Sequence, residues 1–298
     1  MHSIRLLFAV ASLATTVSAY AEESKPAVRH SFICSDNGLG KVFVVSADGA
    51  IQWEYPAQHG QDVWALPNGN YLFSHVRGAK EVTPDKKVVW EYKSPDGTEV
   101  HTCQPLADGA VLISECGTSR IIEVDRQGQI RKEIKIETAA KGVHTQFRNA
   151  RKLQNGNYLV TLNGDRAVRE YDGQGKVVRT INVPGNPFAA LRLPSGNTLI
   201  ACGDGHKLIE VDPQDKVVWQ IEENEIPGHP LRFVAGIQVL PSGNIVVCNW
   251  GGHGYVGKQP LVFEVTRDKK VVWQVDDYKQ FRTISSIMLL DVKGEILR

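Results

Sequence analysis

The sequence lacks an excess of charge of either sign. It contains 34 Lys and Arg residues against 33 Asp and Glu residues in 298, which gives a net charge of +1. Removing residues 1–21, in which Arg5 is the only formally charged side chain, leaves the two signs equal in number. A neutral surface of this kind provides no general electrostatic attraction to nucleic acid or to an anionic membrane. The composition therefore argues against nucleic acid as a partner.

Long apolar runs are also missing, apart from one near the start. Residues 1–21 combine a positive charge at Arg5, an apolar stretch over 6–17 and a small-x-small pattern at 19–21. The stretch is shorter than the roughly 20 residues that span a bilayer. These three features together are typical of a cleaved signal peptide. The sequence therefore predicts a signal peptide over 1–21, export to the periplasm or the cell exterior, and no membrane span in the mature protein.

Cysteines are few and odd in number. The five are Cys34, Cys103, Cys116, Cys202 and Cys248. They show neither CxxC spacing nor the paired Cys/His spacing of a structural zinc site. Export would place them where disulfides form, but several lie in or beside apolar strand patterns, as small buried residues do. The pattern leaves one disulfide open and shows no disulfide framework.

Repetition is what the sequence does contain. A phrase with a central turn, such as Leu193-Pro-Ser-Gly-Asn-Thr-Leu-Ile-Ala201, occurs five times, with its glycines 40 or 47 residues apart. A second phrase, such as Asp212-Pro-Gln-Asp-Lys-Val-Val-Trp219, alternates with it and occurs six times. Each phrase is typical of a tight turn between two strands. Together they predict units of four short strands, A to D, with the blade length of a β-propeller.

The repeat is split between the two ends of the chain. Residues 285–290 look like a strand A with no strand D after it, and residues 30–34 look like a strand B with no strand A before it. Pairing these segments closes the ring and removes an open sheet edge. The sequence therefore predicts an all-β fold, a single six-bladed β-propeller domain over 22–298 closed by its N- and C-terminal strands. The split repeat argues against the alternative, an open solenoid.

Two families share these repeats. The second phrase, at 212–219, resembles the repeat of PQQ-like (quinoprotein-like) β-propellers, and the LPNGN turn at 66–70 resembles turns of bacterial arylsulfotransferase-type propellers. The resemblance covers the mature chain but is carried by scaffold positions, so it implies the fold rather than the activity. The quinone-binding members are larger, generally eight-bladed dehydrogenases with a metal beside the cofactor and a stacking platform under it. Because the sequence lacks adjacent cysteines and an evident platform, PQQ is not expected as a cofactor.

Internal repeats also separate scaffold residues from site residues. A residue type that recurs at one blade position serves the blade, whereas one found in a single blade is a candidate for chemistry. By this rule the recurring glutamates of strand C and tryptophans of strand D are predicted to be structural. They are Glu81, Glu123, Glu170, Glu210 and Glu264, and Trp53, Trp90, Trp219 and Trp273.

The connections predict where a site would lie. The A–B and C–D turns are short and share one face, so the longer D–A and B–C connections share the other, which we call the loop face. Seven of the eight histidines after residue 21 lie in or beside those connections: His59, His75, His101, His144, His206, His229 and His253. We therefore expect the site on the loop face, at the mouth of the central channel where each strand A begins.

Blade-unique residues of the loop face are the site candidates. His101 and His144 are predicted to act as nucleophile or base, with Arg148 stabilising an anion. Arginines suit carboxylate or sulfate groups, and aromatic side chains suit the face of a ring. The predicted ligand-binding residues are Arg151, Asp165, Arg166, His206, Arg232, Asn249, Trp250, His253 and Tyr255.

Three functions fit these residues. The first is binding of a small polar or anionic ligand, such as an oligosaccharide, at the mouth. The second is an enzyme at the same place, either a polysaccharide lyase or hydrolase or, as the arylsulfotransferase resemblance implies, a transferase with a histidine nucleophile. A divalent metal held by histidine and carboxylate is open for this enzyme, although the signatures HExxH and GxSxG are absent. The third is a protein-interaction scaffold, which predicts exposed apolar patches on the loops.

Overall fold

The computed structural model describes residues 28–298, which form six four-stranded antiparallel sheets. Within this range the only helical element is one 3-10 turn at Val143–Thr145. The all-β, six-bladed propeller expected from the sequence is therefore confirmed. None of the described residues belongs to a helix long and apolar enough to cross a membrane. The predicted signal peptide at 1–21 lies outside the described residues.

Blade 1 uses β1 (Phe32–Asp36), β2 (Lys41–Val45) and β3 (Ile51–Pro56), and its fourth strand comes from the other end of the chain.

The other five blades are continuous in sequence. Blade 2 contains β4 (Val63–Ala65), β5 (Tyr71–His75), β6 (Gly78–Val82) and β7 (Val88–Lys93). Blade 3 contains β8 (Glu99–Pro105), β9 (Val111–Cys116), β10 (Arg120–Val124) and β11 (Ile130–Lys135). Blade 4 contains β12 (Ala150–Lys152), β13 (Tyr158–Leu162), β14 (Ala167–Tyr171) and β15 (Val177–Asn182). Blade 5 contains β16 (Ala189–Arg192), β17 (Thr198–Ala201), β18 (Leu208–Val211) and β19 (Val217–Ile221). Blade 6 contains β20 (Val234–Val239), β21 (Ile245–Asn249), β22 (Val262–Val265) and β23 (Val271–Val275).

The first blade is completed by the other end of the chain. Strand β24 (Ile284–Leu289) pairs antiparallel with β1, and Phe32 lies opposite Leu289. The order in this sheet is β24-β1-β2-β3, so the C-terminal strand is its strand A. The predicted closure by N- and C-terminal strands is confirmed, and the closed ring leaves no unpaired edge between the first and last blades.

The recurring glutamates join turns to blades. In four blades the last asparagine of the A–B turn donates a side-chain hydrogen bond of 2.6–2.7 Å to the strand C glutamate, as from Asn70 to Glu81 and from Asn197 to Glu210. An arginine of the following blade also pairs with each of these two glutamates. The repeated Asn and Glu therefore stabilise the blades, and the predicted structural role of the glutamates is confirmed.

The recurring tryptophans connect one blade to the next. The indole N–H groups of Trp53, Trp90 and Trp219 donate to backbone carbonyls in the C–D turn of the following blade, at 2.9–3.0 Å. Trp90 is 5% exposed, so its ring is also buried between blades. The prediction that these residues pack between blades is confirmed.

Charged side chains fill the centre of the ring. Leu297 pairs with Val239 at the end of β20, which brings the segment after β24 to the channel and buries the side chain of Arg298 within it. The guanidinium of Arg151 donates to both carboxylate oxygens of Asp62, at 2.9 and 3.1 Å. Its Nε donates to the carbonyl oxygen of Arg298 at 3.0 Å. These buried contacts tie blades 2 and 4 to the C-terminal segment.

All five cysteines are buried and free, so the single disulfide that the sequence left open is not formed. Burial raises the pKa of the Cys34 and Cys103 thiols well above their usual range. They are therefore small uncharged core residues.

Candidate functional site

The candidate site begins at the loop-face end of β8. The pairing of β8 with β9 shifts register between Val100 and Thr102, so His101 sits at a bulge and pairs with no residue of β9. Bulges of this kind redirect a side chain and are common beside functional sites. The connection from blade 3 to blade 4 contains the 3-10 turn at Val143–Thr145, which brings His144 to the same place.

Glu99, His101 and His144 form a compact group that we call the mouth cluster. Oε2 of Glu99 lies 3.1 Å from Nε2 of His101 and 2.7 Å from Nδ1 of His144. The two imidazole rings are nearly perpendicular, with centroids 5.7 Å apart. The His101 side chain is only 2% exposed, whereas that of His144 is 61% exposed. The cluster therefore extends from the protein interior to the solvent.

The environment sets the charge of this cluster. The imidazoles of His101 and His144, whose nitrogens lie 3.1 and 2.7 Å from Oε2, hold the pKa of the Glu99 carboxyl well below its usual range. Burial lowers the pKa of His101 to about 4, although its contact with Glu99 opposes the shift. Burial also raises the pKa of the nearby Cys116 to about 12. At neutral pH the cluster thus contains a carboxylate and a neutral buried imidazole, and Cys116 beside it is a thiol rather than a nucleophilic thiolate.

Arg148 lies directly beside the mouth cluster. Its Nη1 donates to the carbonyl oxygen of His144 and lies 3.3 Å from Nδ1 of His101. The residue is 8% exposed, and burial lowers the pKa of its guanidinium. Among the described residues, no carboxylate lies within salt-bridge distance of the Arg148 guanidinium. Its Nε and Nη2 atoms make no hydrogen bond within the described residues, but they are accessible to solvent. Arg148 is therefore a nearly buried cation without a counterion.

Aromatic residues of blade 6 lie on another part of the loop face. Trp250 makes edge contacts with Phe233 and His253, with centroid distances of 5.1 Å in both cases. Nδ1 of His253 lies 3.1 Å from Asp204. The Asp204 carboxylate also opposes the lowering of the Arg148 pKa by burial, after the larger contributions of Cys116 and Glu99. We call Phe233, Trp250 and His253 the aromatic wall.

The rest of the predicted residues on blade 6 support the loops. Asn249 is fully buried, accepts from the backbone N–H of Arg232 at 2.9 Å and donates to the carbonyl of Pro230 at 2.8 Å. The Arg232 guanidinium pairs with Glu223 and lies 5.5 Å from the centre of the Tyr255 ring.

The remaining predicted residues are in different surroundings. Asp165 accepts hydrogen bonds from Thr138 and Ala139 and thereby holds the connection into blade 4. Arg166 and His206 are non-glycine residues with φ values of 54° and 52°, at tight turns of the loop face. Arg151 lies in the channel with Asp62, and not with the mouth cluster. The structure therefore brings together His101, His144 and Arg148 from the sequence prediction.

Two members of the site are missing from the sequence prediction. Glu99 could have been found, because it is an acidic residue outside the recurring strand C position and lies two residues before His101. Phe233 gives no such signal, since an apolar residue at the start of a strand A is typical of the core.

Fold and site together define a six-bladed β-propeller with a charged and aromatic mouth on its loop face. Residues 6–270 match the family described as Mal s 1 allergenic protein-like, and the chain belongs to that family. No curated protein matches the chain.

Solved structures share this fold. A protein of unknown function from Bacteroides caccae is 34% identical, with a TM-score of 0.81, over 90% of this chain and 100% of its own. A catalytically inactive virginiamycin B lyase from Staphylococcus aureus, in a structure with quinupristin, is 14% identical, with a TM-score of 0.58, over 85% of this chain and 87% of its own. At that identity the lyase shows only the fold. The comparisons support the propeller repeat, and the resemblance to PQQ-like and arylsulfotransferase-type families stays an expectation.

Proposed function

We propose that the mouth of the propeller binds a small anionic ligand whose negative group is held by Arg148. This proposal rests on a guanidinium at 8% exposure that has no carboxylate within salt-bridge distance among residues 28–298. Removing a charge from water costs several kcal/mol unless another charge compensates for it. A carboxylate or sulfate on a ligand would supply that compensation through charge-assisted, often bidentate, hydrogen bonds.

The aromatic wall indicates what the anionic group is attached to. Trp250, which is partly exposed and packs on the buried Phe233, offers apolar ring surface on the loop face. Sites for small ligands combine such surfaces with a few polar groups that fix orientation. The ligand class that fits is an acidic compound with a ring, either an acidic saccharide or an aromatic sulfate or carboxylate.

The scaffold alternative gains less support. The large exposed apolar side chains lie mainly at the start of the D strands, beside the C–D turns and away from the loop face. They include Val88, Val89, Val177, Val178, Val217 and Val218. In residues 28–298 the loop-face connections carry two large exposed apolar side chains, Leu39 and Val256, rather than the broad apolar patches that a protein-binding loop face would need.

The proposal is tested by thermal unfolding with p-nitrophenyl sulfate, benzoate and digalacturonate at constant ionic strength. A ligand at 100 times its Kd adds about 2.7 kcal/mol, which is about 5–10 °C in Tm for a domain of this size. Arg148→Met should abolish the shift. Arg77→Met, a change at an exposed arginine of the same face that pairs with Asp96, should retain it. Equal shifts in both variants, or no shift with the unchanged protein, would contradict the proposal.

A second candidate function is an enzyme that uses His144 as a base. Its Nδ1 lies 2.7 Å from Glu99, and its exposed ring faces the solvent side of the cluster. A carboxylate that orients a histidine in this way is a common arrangement in general base catalysis. Mass spectrometry of the same compounds after incubation would show turnover, which His144→Gln should abolish. The matched control His59→Asn, at an exposed histidine of another loop-face connection, should retain turnover. Binding without turnover would leave a binding protein.

A further inference from the structure

We propose that Glu99, His101 and His144 bind one divalent transition-metal ion, for which Zn²⁺ is the best match. This inference goes beyond the proposed anion site and does not depend on it. The three side chains offer one carboxylate oxygen and two imidazole nitrogens, all within 4.8 Å of one another. In the part of the chain that the structure describes, no second group of three such side chains has this spacing.

The distances suit an ion of this kind. Ligand atoms bonded to one ion at about 2.1 Å are separated by about 3.0–3.4 Å in octahedral or tetrahedral geometry. The Glu99 oxygen lies 3.1 Å from the His101 nitrogen and 2.7 Å from the His144 nitrogen. Two of the three separations are therefore within a few tenths of an ångström of those in a metal site, and the third, between the two imidazole nitrogens, is at most 4.8 Å.

The tautomer of His101 is the second observation. Its Nδ1 lies 2.9 Å from the carbonyl oxygen of Phe147, which can only accept, and 3.3 Å from Nη1 of Arg148. We assign the proton of the neutral ring to Nδ1 because the acceptor is the closer of the two. The lone pair of the neutral ring is then on Nε2, which lies 3.1 Å from the Glu99 carboxylate. Two acceptors at that distance repel one another unless a cation lies between them. The buried imidazole is thus aimed into the cluster without a donor to pair with.

The surroundings of His101 are those of a metal ligand. Metal-binding histidines commonly donate their second N–H to a backbone carbonyl, which fixes the tautomer and the ring orientation. Phe147, whose carbonyl does this here, is fully buried, so the acceptor is held in place. His144 is held from the other side, because Arg148 donates to its carbonyl oxygen.

The ligand set selects the ion. Two imidazoles and one carboxylate suit Zn²⁺ and neighbouring first-row ions, whereas Ca²⁺ and Mg²⁺ prefer oxygen ligands alone. Three protein ligands leave at least one coordination position open for water or another ligand. The exposed His144 side gives access to that position.

The structure offers a matched control. His253 is 58% exposed with Nδ1 3.1 Å from Asp204, and His144 is 61% exposed with Nδ1 2.7 Å from Glu99. His253 thus has the same histidine–carboxylate contact without a third ligand. The test uses the protein stripped with EDTA and dialysed, then titrated with Zn²⁺ in a calorimeter and with Co²⁺ by absorption. Native mass spectrometry checks the stoichiometry.

The unchanged protein should bind one ion. His144→Ala and Glu99→Gln should weaken binding by at least about tenfold, as removal of a ligand requires, whereas His253→Ala should leave it unchanged. Thermal unfolding confirms that each variant is folded. Because His144 is exposed, His144→Ala is the variant least expected to disturb folding. Absence of a single-ion complex, equal weakening by His144→Ala and His253→Ala, or no weakening by His144→Ala would overturn the inference.

Discussion

Replacement of Asp62 by asparagine should be the most damaging polar change in the channel. Asp62 is 1% exposed and accepts both hydrogen bonds from Arg151. A nitrogen of Arg298 lies 3.7 Å from the same carboxylate. Without this negative charge, two buried guanidinium groups would share the channel with no carboxylate side chain between them.

The expected magnitude follows from the burial. Removing one partner of a buried ion pair costs about 3–5 kcal/mol, because the other charge stays buried without compensation. In a domain of this size each kcal/mol corresponds to about 2–4 °C, so Asp62→Asn should lower Tm by about 6–20 °C. Arg151→Met should cost less, since Asp62 keeps Arg298 as a neighbour. In the double variant the two costs should not add, because Arg151 and Asp62 contact each other directly.

Urea unfolding of the unchanged protein, both single variants and the double variant measures these terms. Additive costs, or an Asp62→Asn variant within about 0.5 kcal/mol of the unchanged protein, would refute the ion-pair reasoning. The series also tests the sequence prediction that Arg151 binds ligand. If Arg151→Met loses the anion-dependent shift in Tm but keeps its stability, Arg151 belongs to the ligand site rather than to the channel.

Two further predictions concern stability. Trp90→Ala should lower the free energy of unfolding by about 3–5 kcal/mol because the ring is buried. Trp219→Ala should lower it by less, because Trp219 is only partly buried. Equal losses in urea unfolding would contradict the packing argument. Burial opposes the charge of His30, but hydrogen bonds to Glu264 and Asp291 outweigh it and raise its pKa. This stabilisation is fully present below the unfolded-state pKa of about 6.5 and is lost as pH rises through the folded-state pKa. His30→Gln should therefore destabilise by up to about 1 kcal/mol at pH 5.5, and by less at pH 9; a constant difference in unfolding free energy would contradict the assignment.

The fold could be predicted because each blade repeats the same local chemistry. The Asn of the turn and the Glu of strand C, such as Asn70 and Glu81, contact each other within one blade, so their recurrence is visible in the sequence. The closure by β1 and β24 was equally visible, because the missing strand at one end matches the extra strand at the other.

The site was predicted only in part, because the distance of a residue from the mouth and the position of a bulge do not repeat from blade to blade. Arg148 and Arg151 are three residues apart, but a strand rises about 3.3 Å per residue, which separates a position at the mouth from one inside the channel. His101 meets His144 because of a bulge in β8 and a 3-10 turn, neither of which the repeat pattern predicts. Asn249 looks like a ligand donor in sequence, but its amide supports the backbone of its own loop.

The most direct test of the central claim is a crystal structure of the protein with the compound that gives the largest shift in Tm. We predict that a carboxylate or sulfate oxygen of the ligand lies about 2.7–2.9 Å from a nitrogen of Arg148. We also predict that the ring of the ligand lies against the aromatic wall at Trp250. A ligand bound elsewhere on the propeller, with Arg148 making only its contacts to His144 and His101, would contradict the account.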